Sequence, residues 1–66
     1  MTERFYVSAV EGHKVSYLLG PYDTRREAVA NVERGRKLAV EADQWAEFYA
    51  FGTCRTAQQI KAVFGQ

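Results

Sequence analysis

Polar and apolar positions alternate at the start of the chain. From Arg4 to Val10, Phe5, Val7 and Ala9 fall on one side and Tyr6, Ser8 and Val10 on the other, the period-two signature of a strand. Glu11-Gly12-His13 interrupts the pattern. Lys14 to Leu19 resumes it, with Val15, Tyr17 and Leu19 opposed by Ser16 and Leu18, so the two runs predict a hairpin turning at Gly12. Gly20-Pro21 is expected to end the second strand, because proline cannot donate to a ladder.

The period then becomes helical. Thr24 and Glu27 have the spacing of a capping box, in which the hydroxyl satisfies a free amide of the first turn and the carboxylate reaches back to the Thr24 amide. The helix is therefore expected from Arg25 to about Ala42. Ala28, Val32, Gly35, Ala39 and Ala42 form its inner stripe, flanked by Val29 and Leu38. These are small residues, and a mid-helix glycine costs roughly 1 kcal/mol against alanine. Gly35 therefore implies a helix axis close to the sheet, with bulky sheet residues filling the space. Glu33 with Lys37, and Lys37 with Glu41, are i,i+4 neighbours on an outer, solvated face.

Asp43-Gln44 is expected to end the helix and Trp45 to Phe51 to form a third strand, with Trp45, Glu47, Tyr49 and Phe51 on one side and Ala46, Phe48 and Ala50 on the other. Beyond Gly52, Thr56-Ala57-Gln58-Gln59 offers a second capping box before Ile60, Val63 and Phe64, which share a helical face. The order strand, strand, helix, strand, short C-terminal helix predicts an α+β fold. It is a ββαβ layer with a three-stranded antiparallel sheet in order 2-1-3, packed by one long helix.

The chain's 66 residues allow one domain, 1–66. A chain of that size buries only about 60% of its unfolded surface, so each large apolar side chain counts. Nine aromatics (Phe5, Tyr6, Tyr17, Tyr22, Trp45, Phe48, Tyr49, Phe51 and Phe64) are a heavy allocation for so small a core. One helix can cover only one sheet face, so tyrosines and the tryptophan on the other face need the terminal helix or a second molecule, self or foreign, to cover them. A homodimer through Tyr6, Tyr17 and Tyr49 or Trp45 is one expected form of that cover.

A net charge of +1, from nine basic and eight acidic residues mixed along the chain, argues against a polyanion mimic and against a strongly basic nucleic-acid binder. The single cysteine excludes an intrachain disulfide and a multi-cysteine zinc site and fits a reducing compartment. Met1-Thr2-Glu3-Arg4-Phe5 shows no apolar signal region, and no run approaches the roughly 20 apolar residues of a membrane span. The expected location is cytoplasmic.

Chemistry-bearing residues are few. His13 lies in the expected hairpin turn. Cys54 stands beside Arg55, which could lower a thiol pKa, but no histidine or carboxylate is placed to serve it. Asp43 and Glu47, like Glu33 and Glu41, are carboxylate pairs in sequence alone. Gly20-Pro21 lacks the spacing of a phosphate loop. No catalytic, metal or cofactor-binding residues are assigned, and a non-enzymatic protein is expected. Arg25 and Arg26 stand out, because the first helical turn disfavours cations and could use them to receive an acidic side chain or a phosphate.

Gly20-Pro21-Tyr22 followed by Glu27-Ala28 resembles the strand-turn-helix of sporulation-related peptidoglycan-binding domains, over about ten residues. That family places the turn after its first strand and repeats the strand-helix unit, whereas here a hairpin precedes it. In size, compactness and lack of an active site, the chain resembles in type the short orphan proteins of phages and prophages, including the host-defence inhibitors called anti-CRISPR proteins. That resemblance implies a protein partner, such as a subunit of a host CRISPR effector, and carries no site residues. From the residues themselves, Arg25, Arg26, Tyr6, Tyr17, Trp45 and Tyr49 are the candidate partner-binding set. The alternative is a small nucleic-acid-binding domain. In it Arg25, Arg26, Arg34, Arg36, Lys37 and Arg55 would track phosphates while Tyr6, Tyr17 or Tyr49 stack bases, although Glu27, Glu33 and Glu41 interleave with those cations.

Overall fold

A computed structural model describes residues 3–66, so Met1 and Thr2 of the stretch read as showing no apolar signal region lie outside the described residues. The antiparallel sheet has the expected order, with β1 (Arg4–Glu11) between β2 (Lys14–Tyr22) and β3 (Ala50–Thr56). The first two strands meet in a hairpin, Glu11 opposite Lys14, across Gly12-His13. The second strand runs through Gly20-Pro21 to Tyr22 instead of ending there. Two register shifts, between Phe5 and Val7 and between Val7 and Ser8, place extra residues on β2, and such bulges are where a strand tolerates proline.

Those bulges also correct the expected face of β2. Tyr17 lies opposite Ser8, whereas Leu19 lies opposite Val7. Because adjacent β1 residues face opposite ways, Tyr17 and Leu19 part company: Leu19 enters the core, and Tyr17 stands edge-on to Tyr6, ring centroids 5.5 Å apart, on the far face. At the bulge Gly20 has φ 139, and a Cβ there would sit 2.6 Å from the Tyr6 ring, so only glycine fits.

The helical stretch is two helices, α1 (Arg25–Ala30) and α2 (Val32–Ala42), joined at Asn31. The Glu27 amide donates to Thr24 Oγ1 at 3.2 Å, and the Thr24 hydroxyl donates to the Glu27 carboxylate, so the box closes through the side chains rather than through the Thr24 amide. At Asn31 the side-chain amide donates to the Glu27 carbonyl at 2.8 Å, and the backbone departs to φ −107, ψ 4. A side chain competing for a helical carbonyl accounts for the interruption. Ala28, Gly35 and Ala39 are buried as the stripe requires, while Ala42 is exposed. A Cβ on Gly35 would meet Val7 Cγ1 at 2.8 Å and Leu19 Cδ1 at 3.4 Å, which fixes how closely α2 lies on the sheet. On the outer face Glu33 pairs with Arg36 at 2.6 Å.

Two expected elements differ. Residues Gln44–Phe48 form a 3-10 turn, with the Asp43 carboxylate accepting from the Trp45 amide at 3.0 Å, and the strand starts only at Ala50. An N-cap aspartate at the helix end restarts helical winding before the chain can extend, and Thr53 and Thr56 carry the strand past Gly52. The C-terminal helix is absent. Thr56 Oγ1 does accept a local bond, from the Gln58 amide, but the chain beyond it spends its hydrogen bonds on the sheet. The Tyr6 hydroxyl donates to the Ile60 carbonyl at 3.0 Å and accepts from its amide. Val63 and Phe64 donate to the carbonyls of Tyr17 and Leu18, and Gly20 donates to that of Gly65, each at 2.9 Å. The tail thus follows β2 in parallel along its outer edge. Gln66 is fastened there by Tyr22 and Arg34, both of which donate to its carbonyl.

Gly35→Leu is expected to lower stability by about 1–3 kcal/mol through overpacking against Val7 and Leu19. At about 4–8 °C per kcal/mol for a domain of this size, a thermal melt reads it directly, with Thr24→Ala as a milder companion near 1 kcal/mol. Tyr6→Phe removes the hydroxyl that holds Ile60. It is expected to cost about 1 kcal/mol and to speed amide exchange at Ile60, Val63 and Phe64 more than at Val7 or Leu19.

Candidate interaction surface

The 3-10 turn carries the most exposed aromatics of the molecule. Trp45 is 69% and Phe48 75% exposed, with ring centroids 5.6 Å apart and planes tilted by 42°. Three-residue spacing stacks side chains in a 3-10 helix, so a pair expected on opposite faces of a strand stands side by side. Ala46, buried between them in sequence, ties the turn to α2 and the core. The signal that could have found this pair was Asp43, a capping residue where the helix was expected to end and the strand to begin.

The other expected partner-binding residues fall elsewhere. Tyr6 is 2% exposed beneath the tail and is corrected from surface to core. Tyr17 is half-buried on the same far face. Tyr49 is half-buried against the core, 6.5 Å from the Phe51 ring; its burial and the nearby Glu11 carboxylate push its hydroxyl above the usual tyrosine range. The dimer face imagined from Tyr6, Tyr17 and Tyr49 or Trp45 is therefore not assembled, since the tail covers Tyr6 and Trp45 belongs to another element.

Arg25 and Arg26 are exposed in the first turn of α1. Arg25 shares a small cleft with Phe5, Thr53, Cys54 and Arg55. Three of the other cations expected to track phosphates have partners within the molecule. Arg34 is drawn to Asn31, Tyr22 and the Gln66 carbonyl, and Arg36 is held by Glu33. Its guanidinium hydrogen bond holds the Glu33 carboxyl below the usual range. Arg4 faces Asp23 at 3.4 Å and Arg55 faces Glu3 at 3.7 Å.

Cys54 is half-buried. Burial pushes its thiol up, against a smaller opposing effect from Ser8, so Arg55 does not activate it. His13 is exposed at the hairpin turn. Among the described residues no three metal-ligating side chains are grouped, and no helix is long and apolar enough to cross a membrane. No protein-family model, curated protein or solved structure matches the chain.

A raised thiol pKa leaves less thiolate at a given pH. Folded protein at pH 8 is therefore expected to react with iodoacetamide several-fold more slowly than free cysteine, reaching the ordinary rate in denaturant. The sign for stability follows: a group whose folded pKa is raised contributes fully below the unfolded thiol value, near 8.5, and its contribution is lost as pH rises beyond that. Replacing Cys54 with serine should remove that part of the alkaline decline in a series of melts.

Proposed function

We propose that this chain is a non-enzymatic protein-binding module anchored by Trp45 and Phe48. Its mode of action is occupancy: it covers a functional surface of a larger complex in the cytoplasm. The phage form of this reading, an anti-CRISPR-like inhibitor set against a subunit of a host CRISPR effector, draws on the resemblance in size and type to short phage proteins. The observation that carries the protein-binding reading is the exposed aromatic pair on a capped, core-anchored turn. Aromatics dominate the energetics of protein interfaces, and side chains carried on a core-anchored turn need no backbone ordering to dock. The nucleic-acid alternative is weakened because Arg34 and Arg36 are engaged within the molecule and Tyr6 is unavailable for stacking.

Wild-type protein and a Trp45→Ala/Phe48→Ala variant, each tagged, should be compared for capture of an assembled CRISPR effector and for binding to a generic oligonucleotide. The variant is expected to melt like wild type and to bind the effector roughly 1,000-fold more weakly, as expected for two anchors worth about 2 kcal/mol each. Equal capture by both proteins would remove the aromatic anchor, and capture by neither would remove the effector as partner. Tight, salt-sensitive oligonucleotide binding would replace this reading with the nucleic-acid one.

A further inference from the structure

The sheet has two edges, and they are treated differently. The outer edge of β2 is closed by the chain's own tail through the Val63, Phe64 and Gly65 backbone. The outer edge of β3 has no backbone partner among the described residues: the strand's ladder runs to β1 alone, from Arg4–Thr56 to Val10–Ala50. Unpaired amides and carbonyls along an edge are a template for another strand, and proteins that must prevent this use proline, charge or very short strands. The third strand is seven residues, Ala-Phe-Gly-Thr-Cys-Arg-Thr, with no proline and one charge.

The side chains beside this edge select what can pair with it. Thr53 lies opposite Val7 and Arg55 opposite Phe5, so both face the helix side of the sheet. There Arg25, from the first turn of α1, lines the same cleft. Among the described residues Arg25 has no carboxylate within ion-pair reach, and Arg55 has only the exposed contact to Glu3 at 3.7 Å. Two cations therefore border an open edge on one side. A strand added to that edge would send alternate side chains to the same side.

We propose that the β3 edge receives, by strand addition, an extended peptide segment with acidic side chains at alternate positions, its backbone completing the ladder and its carboxylates meeting Arg25 and Arg55. A second copy of the chain pairing through the same edge fits less well, because β3 contains no acidic residue and would bring further arginines in place of carboxylates. The inference rests on the protein-binding reading but uses a surface separate from Trp45 and Phe48.

The test uses isotope-labelled full-length protein titrated with a heptapeptide of alternating valine and glutamate, followed by NMR, with the valine-lysine heptapeptide as control. The acidic peptide is expected to shift amide signals in Ala50–Thr56 and the side-chain signals of Arg25 and Arg55. It should bind about ten-fold or more tightly than the lysine peptide. Arg25→Glu/Arg55→Glu should reverse the preference while leaving the melt unchanged. Trp45→Ala/Phe48→Ala should leave peptide affinity unchanged, so failure of the anchor and failure of the edge are read separately. Equal affinity for both peptides, or shifts confined to residues outside β3, would overturn the proposal. Sedimentation as a dimer whose β3 amides are protected without peptide would give the edge to a second copy instead.

Discussion

The approach of α2 to the sheet at Gly35 is the constraint from which the rest of the architecture follows. With 2.8 Å between a notional Cβ and Val7 Cγ1, the helix can lie this close only where it has no side chain. The space is filled from the sheet, by Val7 and Leu19, and from the helix by nothing larger than Ala28 and Ala39 at its buried positions. Packing of this kind gains its energy from the fit of the sheet's side chains. It also commits Phe5, Val7 and Ala9 of β1 to the helix side, which leaves Tyr6 and Ser8 on the other. With no second layer of helix among the described residues, that far face has to be covered by something else.

The tail is that cover, and it explains why the last ten residues are not helical. A helix over Ile60–Phe64 would satisfy its own backbone and present one apolar face. The extended tail satisfies the edge of β2, the hydroxyls of Tyr6 and Tyr22 and the amides of Ile60, Val63 and Phe64 together. Local helix signals were real, since Thr56 does accept a bond from the Gln58 amide. They lost to long-range partners that a local pattern does not contain.

Elements whose signals are local were legible in the sequence: the alternation of β1, the hairpin at Gly12, the Thr24–Glu27 cap and the small-residue stripe; the strand order followed from the antiparallel closure of three such strands. Apart from the tail and Tyr6, the errors lie where one residue changes the phase of its neighbours. The bulges on β2 turned Tyr17 away from Leu19, and the aspartate at position 43 wound Trp45–Phe48 into a turn, moving the strand start to Ala50. Part of the candidate surface was legible for the same reason. Arg25 and Arg26 are exposed as a helix start requires, while Tyr6 was misread because its hydroxyl partner lies 54 residues away. Phe48 was missed because strand phase hid its pairing with Trp45.

The strap between Tyr6 and Ile60 also bears on how the chain is made. During synthesis the hairpin and the helices emerge first, with the Tyr6 ring lacking the segment that later covers it. Closure of the sheet waits for the residues after Thr56 to clear the ribosome. Contacts between residues 54 apart are slow to form because loop-closure entropy must be overcome before they contribute. Until then the nascent protein exposes two unpaired strand edges instead of one, and this is the interval in which it is most open to misassociation with its neighbours on a polysome.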